Sequence, residues 1–373
     1  MKFTVNSVLL QRTLSKLGGV IQAKSTMPIL EHLLFDVVNN TLTATVTDLA
    51  IWMTVTIDVK GETDGTITVP AKRFTDTLRS LTDTDVEFSA DPTTNRITVK
   101  TSTGEFNLTG DHHSAFPPTP EIEGTEQFDL DGPILHKLIQ KTTFAVSQDE
   151  LRPAMNGILI EANKKSITSV ATDGHRMVRY ILTMHKSIGF ERNVIIPVKT
   201  MNVVGRSLED EPSTILLSKT HIRLKFPSWE VVSRLIDEQY PRYDSVIPAI
   251  ADDDKILKAN REALIQTIRR VALYANAATH QVRFDIAKDE LRVAAQDIDF
   301  GWDAKEKLPC TFSDTVFMIG FNATYLVDLL SHLDGESVVF RFSAPTRAGI
   351  ILPEQPPEGE DLLMLVMPVR LNT

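Results

Sequence analysis

The chain has 373 residues, of which 42% are hydrophobic and 24% are charged, and its formal net charge is −10. These values are ordinary for a globular protein that buries real cores. The single cysteine, Cys310, excludes an intrachain disulfide and a cysteine metal cluster. Since no apolar run is long enough to span a membrane, we expect a cytoplasmic protein.

Six segments have the apolar spacing of amphipathic helices, and each third of the chain holds two of them. Pro70 and Pro197, which lie 127 residues apart, stand at helix starts, where a missing N–H is tolerated. Short segments between the helices, in which apolar and polar residues alternate, predict strands. Each third is therefore predicted to contain two βαβββ halves. The predicted helices span residues 8–18, 70–81, 132–146, 197–208, 259–275 and 321–333.

An aspartate recurs at the same place in each third. Asp48, Asp173 and Asp297 each follow an apolar run and precede a second strand-like run, at spacings of 125 and 124 residues. Such a period is far longer than the roughly 20 to 50 residues of solenoid repeats, so it predicts repeated domains. We expect an α+β fold in which each domain packs two helices on antiparallel sheets. Linkers rich in proline and acidic residues separate the predicted domains, which span residues 1–121, 126–248 and 252–373.

Charge is unevenly distributed between the predicted helices and the remainder of the chain. The first five helices carry a net charge of +2 each and the sixth −1, so the helices total +9 and the other residues −19. Solvated surface residues explain the charge of any single helix. The same sign in five repeated positions favours one basic surface that faces a polyanion.

An enzyme is the main alternative, because Asp173, His175 and Ser169 permit an acid–base or triad interpretation. The other repeats keep the aspartate but place Ala50 and Asp299 where His175 falls, and no nucleophile has an activating context. His112 and His113 lack further metal ligands nearby. We therefore predict no catalytic residue, metal or cofactor. A scaffold that binds partner proteins but no polyanion remains a third hypothesis.

Several segments in the right order resemble the bacterial DNA sliding clamps, the β subunit of DNA polymerase III, over essentially the full chain. This resemblance implies a head-to-tail homodimer that forms a closed ring around duplex DNA, with the helices lining the hole. The segments are MKFTV from Met1, STMPIL from Ser25, ITVPAKRF from Ile67, ATDGHRM from Ala171, VIIPVK from Val194, YPRYDSVIP from Tyr240, GFNATYLVDLL from Gly320 and MPVRL from Met367.

The family resemblance also implies a non-catalytic processivity factor of the DNA polymerase III holoenzyme, the complex with nucleotidyltransferase and 3′–5′ exonuclease activity. Its expected partners are the polymerase alpha subunit, the clamp loader delta subunit, and other polymerases, mismatch repair proteins and ligases with clamp-binding motifs. Expected DNA contacts, made to phosphates without reading sequence, are Arg12, Lys24, Lys72, Arg73, Arg79, Lys137, Lys141, Gln148, Lys199, Arg206 and Arg269.

The resemblance further implies a groove for partner peptides between the second and third domains. Ser245 stands where some members have an arginine, so the polar contacts at that rim differ. Methionines in the matching positions suit an adaptable apolar pocket. The matching residues are Met155, Thr172, Gly174, His175, Arg176, Met177, Pro241, Val246, Asn322, Tyr325, Leu365, Val366, Met367, Pro368, Val369, Arg370 and Leu371.

By position in the family, four apolar residues are expected at the dimer interface. Phe106 and Leu108 lie on an edge strand of the first domain, and Leu273 and Tyr274 follow a helix of the third domain. The alternative is that all four belong to domain cores.

Overall fold

The computed structural model describes residues 1–22, 24–124, 126–184, 187–251, 253–314 and 316–371. The chain divides into two compact units. The first unit comprises Met1–His136 and Lys199–Leu235, and the second comprises Lys137–Val198 and Ile236–Thr373.

Six α-helices form in the described residues, in the positions that the apolar spacing predicts. Asn6, Asn260 and Asn322 cap three of them by accepting hydrogen bonds from the first free amides of each helix. Two of the predicted helices continue past their α-helical part as short 3₁₀ turns, Lys16–Gly19 and Thr143–Ala145. The helices are α1 (Ser7–Ser15), α2 (Ala71–Ser80), α3 (Gly132–Thr142), α4 (Val198–Ser207), α5 (Arg261–Ala272) and α6 (Ala323–Ser331).

The strands follow the predicted order of two βαβββ halves in the second and third repeats, and the first repeat has one additional strand. The first repeat contains β1 (Lys2–Asn6), β2 (His32–Val38), β3 (Thr41–Thr47), β4 (Ile51–Asp58), β5 (Lys60–Thr63), β6 (Gly65–Pro70), β7 (Asp85–Asp91), β8 (Arg96–Lys100) and β9 (Glu105–Thr109). The second contains β10 (Glu126–Leu130), β11 (Gly157–Asn163), β12 (Ser166–Thr172), β13 (Arg176–Thr183), β14 (Arg192–Pro197), β15 (Ser213–Leu217), β16 (His221–Lys225) and β17 (Trp229–Arg234). The third contains β18 (Lys255–Asn260), β19 (Gln281–Ala287), β20 (Glu290–Asp297), β21 (Trp302–Phe312), β22 (Val316–Asn322), β23 (Ser337–Phe342), β24 (Gly349–Pro353) and β25 (Glu360–Val366).

These strands form three sheets, and their pairings are antiparallel, as the period-two patterning predicts. The first unit holds a five-stranded sheet in the order β5-β1-β7-β8-β9 and an eight-stranded sheet in the order β10-β15-β16-β17-β4-β3-β2-β6. The second unit holds a twelve-stranded sheet in the order β14-β11-β12-β13-β25-β24-β23-β18-β21-β20-β19-β22.

One type of strand pairing joins successive repeats. In the first unit, β4 pairs with β17, the last strand of the second repeat. In the second unit, β13 pairs with β25, the last strand of the third repeat. The equivalent strand β21 pairs with β20 along Trp302–Pro309 and meets β18 only at Cys310–Phe312. The stretch Trp302–Pro309 therefore keeps one edge without a strand partner in the described chain.

Four phenylalanines form the aromatic centre of the first unit. Phe3, Phe35 and Phe88 extend from strands and Phe74 from α2, and all four are fully buried. The rings of Phe3 and Phe88 stack at 4.9 Å, and Phe74 meets Phe35 and Phe88 edge to face at 5.5 and 5.9 Å. These contacts hold α2 against two sheets at once, because β1 and β7 belong to one sheet and β2 to the other.

We expect Phe88→Ala to lower the free energy of unfolding by about 3–5 kcal/mol, since it leaves a cavity among three other rings. Val38→Ala, at the exposed end of β2, is the control in the same unit. Urea unfolding followed by circular dichroism checks both variants. Equal unfolding midpoints for the two variants would contradict the central role of Phe88.

Candidate functional site

The recurring aspartate forms the same turn in each repeat. One carboxylate oxygen of Asp48 accepts hydrogen bonds from the amides of Ala50 and Ile51 at 3.0 and 2.7 Å. Asp173 accepts from the amides of residues 175 and 176, both at 2.9 Å, and Asp297 accepts from those of residues 299 and 300. An aspartate that bonds its own downstream backbone stabilises a tight turn between strands. The aspartate therefore recurs in the sequence because it stabilises the same turn in each repeat.

Arg176 fixes the turn of the second repeat. Its Nε donates to Asp173 at 3.1 Å, one terminal nitrogen donates to Asp328 at 2.6 Å, and the other donates to the carbonyl of Phe144 at 2.8 Å. The guanidinium also lies 4.9 Å from the centre of the Tyr325 ring. A planar guanidinium satisfies several acceptors at fixed angles, so this nearly buried charge anchors the loop that carries His175.

An apolar groove of about 690 Å³ opens beside this turn in the second unit. Met177 on β13 lies directly opposite Leu365 on β25, and both are buried in its floor. Val246 and Met367 stand at the opening, where they are 56% and 46% exposed. The predicted residues that line the groove are Met155, Thr172, Gly174, His175, Arg176, Met177, Pro241, Val246, Leu365 and Met367.

Gly174 is the residue of this loop that needs to be a glycine. Its φ is +88°, and a Cβ there would lie 3.2 Å from the guanidinium of Arg152. The bare backbone therefore lets Arg152 lie across the loop, at the edge of the groove.

The other predicted groove residues lie outside the cavity, along the neighbouring end of the sheet. Asn322 caps α6, and Tyr325 stacks on the ring of His175 at 5.8 Å. Val366 is buried in β25, and beyond it the amide of Val369 donates to the carbonyl of Gly320 at 2.8 Å. Pro368, Arg370 and Leu371 belong to this same terminal segment.

Sequence reasoning missed several lining residues. Tyr243 anchors one wall, because its hydroxyl donates to Glu161 at 2.7 Å, and burial together with that carboxylate raises the pKa of Tyr243. The segment YPRYDSVIP, which is one of those that carry the resemblance, indicated this wall of the groove. Residues 346–348 also line the groove, but they come from a distant part of the chain, so no local pattern indicated them. Ser245, which was expected at the rim, also lines the groove, and the additional lining residues are Arg152, Arg242, Tyr243, Ile247, Pro248, Ala249, Thr346, Arg347 and Ala348.

The residues expected to contact DNA differ in their exposure and in whether a carboxylate already pairs with them. Arg73, Arg206 and Arg269 are exposed and form no ion pair within the described residues. By contrast, Lys141 is buried and holds the carbonyl of His332 and the carboxylate of Asp334, each at 2.8 Å. The remaining members, Arg12, Lys24, Lys72, Arg79, Lys137, Gln148 and Lys199, are exposed.

Several of these exposed cations are held by carboxylates. Lys72 and Arg79 share Asp76 at 2.6 and 3.1 Å, and Lys199 pairs with Asp48. Pairs between exposed groups contribute little to stability, so Lys72 and Arg79 can exchange Asp76 for a phosphate at small cost. Lys199 is held more firmly, because the Asp48 side chain is only 6% exposed.

The four residues expected at the dimer interface are at least partly accessible. Leu273 is 76% exposed and Tyr274 is 45% exposed at the end of α5. Phe106 is exposed and Leu108 half-buried on β9, a strand at the edge of its sheet.

The acid–base interpretation of Asp173, His175 and Ser169 has no support in the geometry. Asp173 is occupied by the turn and Arg176, and Ser169 is fully buried within β12. Burial raises the pKa of the Cys310 thiol to about 11, which makes it a poor nucleophile at neutral pH. The described residues contain no cluster that could hold a metal ion. None of their helices has the length and hydropathy that a membrane crossing requires.

The three α+β repeats, whose recurrent aspartates hold turns, and the apolar groove beside one of these turns favour a binding protein over an enzyme. Three family models match successive parts of the chain. They describe the N-terminal, central and C-terminal domains of the DNA polymerase III beta subunit and cover residues 1–120, 129–242 and 244–370.

Two curated relatives match along their whole length. The beta sliding clamps of Chlamydia muridarum and Escherichia coli K12 are 28% and 29% identical, and each alignment covers 100% of both chains. Among solved structures, a DnaN sliding clamp of Pseudomonas aeruginosa bound to griselimycin has a TM-score of 0.93 at 28% identity, again with full coverage of both chains. A clamp from Bartonella birtlesii gives the same TM-score at 29% identity and full coverage.

The chain belongs to the family of bacterial DNA polymerase III beta subunits, the sliding clamps, and has the DNA clamp fold with three repeated domains. Its function is that of a non-catalytic processivity factor in DNA replication.

We expect Arg176→Met to lower the free energy of unfolding by about 3 kcal/mol, because it leaves Asp173 with an uncompensated, nearly buried charge. Arg283→Met, which removes an exposed arginine paired with Asp285 in the same unit, should cause no measurable change. Urea titrations monitored by circular dichroism compare the two. Similar losses in both variants would show that Arg176 does not anchor the loop.

Proposed function

We propose that two copies of this chain associate head to tail into a closed ring around duplex DNA, and that the groove of each copy binds peptides of replication and repair proteins. The observation that carries the proposal is the strand pairing between repeats. It occurs as β4 with β17 and as β13 with β25, and by the same rule β21 should pair with β9 of a second copy.

Both of those strands have a free edge. β9 pairs only with β8, and the stretch Trp302–Pro309 of β21 pairs only with β20, among the described residues. Unpaired strand edges are templates for pairing with another chain. Phe106 and Leu108 lie on β9, so the predicted interface residues coincide with one of the two open edges. Two such junctions close a ring of six domains, whereas a single chain leaves both edges open.

Attachment to DNA in this proposal is topological. Arg73, Arg206 and Arg269 supply positive charge without an internal ion pair among the described residues, and the other exposed cations supplement it. Phosphate contacts of this kind are independent of sequence and are screened by salt. They centre the duplex while permitting it to slide.

The groove is the proposed docking site for several partners. Its methionines, Met155, Met177 and Met367, adapt to different apolar side chains, which suits a site shared by many proteins. The partners we propose are the polymerase alpha subunit, the clamp loader delta subunit, other DNA polymerases, and mismatch repair and ligase proteins with clamp-binding motifs. The domain boundaries near residues 121 and 248 and a cytoplasmic location stay predictions.

Encirclement is tested by loading the protein onto nicked circular DNA with a clamp loader, isolating the complex at moderate salt and then cutting the circle with a restriction enzyme. We expect the protein to stay on the intact circle and to leave after linearisation, because it slides off the free ends. Retention on the linear DNA would indicate a conventional binding surface. Failure to load, with peptide binding intact, would favour a scaffold that does not bind DNA.

The interface is tested by Phe106→Asp combined with Leu273→Asp. We expect a folded monomer by light scattering, since two buried charges would oppose association at each junction. Leu151→Asp, which charges a leucine that is 90% exposed, is the control and should stay dimeric. A double variant that remains a dimer with native circular dichroism would remove these residues from the interface.

A further inference from the structure

The lining of the groove has an unbalanced charge. It contains four arginines and a histidine, and none of its lining residues is acidic. Two of the arginines are compensated from outside the lining. Arg152 pairs with Asp149 at 3.3 Å, and Arg176 pairs with Asp173 and Asp328. The charge that is left over belongs to Arg242 and Arg347.

Arg242 and Arg347 are exposed, and neither forms an ion pair with an acidic residue of the described chain. Their backbone is nevertheless well fixed. The hydroxyl and the amide of Ser245 donate to the carbonyl of Arg242 at 2.7 and 3.2 Å, and Tyr243 is buried directly after it. The amide of Arg347 donates to the carbonyl of Ala344 at 3.2 Å, and the next residue, Ala348, is buried. Two guanidinium groups without an acidic partner thus lie at the rim of one apolar cavity, and the backbone that carries each of them is held by hydrogen bonds.

We propose that Arg242 and Arg347 select partner peptides in which carboxylates flank an apolar core. The inference rests on the proposed role of the groove in peptide binding. The apolar floor contributes most of the affinity for any such peptide. The rim then discriminates, because a carboxylate finds a guanidinium there, while a lysine meets two like charges and no carboxylate.

Ser245 is an uncharged part of the same lining, and its hydroxyl is used to hold the carbonyl of Arg242. The uncompensated positive charge of the rim therefore lies on Arg242 and Arg347. Duplex DNA is a less suitable ligand for them, because they border an apolar cavity of peptide size.

The test compares three synthetic peptides that share a core of leucine and phenylalanine and are flanked by aspartates, asparagines or lysines. We expect native protein to bind the aspartate peptide about tenfold more tightly than the lysine peptide by fluorescence anisotropy at low salt. Arg242→Gln combined with Arg347→Gln should remove most of this preference and leave the asparagine peptide nearly unaffected. At about 1 M salt, where the Debye length is about 3 Å, the native preference should also shrink.

Lys164→Gln combined with Lys288→Gln is the matched control, since it removes two exposed charges of the same unit outside the groove. This variant should keep the native preference. Val246→Asp, a change at the exposed opening, should abolish binding of all three peptides.

The outcomes separate the two proposals. Binding of all peptides with equal affinity, lost in Val246→Asp, would overturn the selection by arginine and leave the groove intact as a peptide site. No binding of any peptide would overturn both. A rim variant with unchanged peptide preference but weaker retention on circular DNA would assign the two arginines to DNA and contradict the inference.

Discussion

Pairing of strand edges between repeats is the constraint on which the rest of the structure depends. A strand whose amides and carbonyls face outward needs a partner strand, water or another chain. The first two repeats meet this need through β4 with β17 and β13 with β25. The second pairing also creates the groove, because it places Met177 opposite Leu365. The proposed assembly and the proposed peptide binding thus depend on the same structural rule.

The aspartate turns show how a repeated motif acquires a local function. All three aspartates hold a turn through backbone amides, which explains their recurrence without catalysis. The second repeat adds Arg176, which joins the turn to Asp328, and Gly174, whose positive φ brings the backbone close to Arg152. In the first repeat the corresponding turn pairs with Lys199. The different neighbours of the turn therefore account for the groove in the second unit.

The electrostatic design separates two tasks. The basic residues on helix surfaces are mostly exposed, and several share carboxylates, so the phosphate contacts that we propose are weak and replaceable. Weak contacts suit the proposed sliding along the duplex. At the groove, the exposed Arg242 and Arg347 border apolar surface without an acidic partner among the described residues, and we propose that they discriminate between partner peptides. A net charge of −10 is compatible with both tasks because the positive charges are concentrated on the helices and at the rim of the groove.

The sequence alone determined the three repeats, the six helices and the antiparallel sheets, because these follow from local periodicity and from proline and aspartate at fixed positions. Thr172, Gly174, the residues from His175 to Met177, Leu365 and Met367 were also predicted at the groove, from the resemblance to the family. Only the tertiary structure decided that Arg347 joins Arg242 at the rim, that Lys141 is buried against Asp334, and that β21 and β9 keep open edges. Those properties arise from contacts between residues far apart in the chain, and no local pattern encodes which distant side chains will meet.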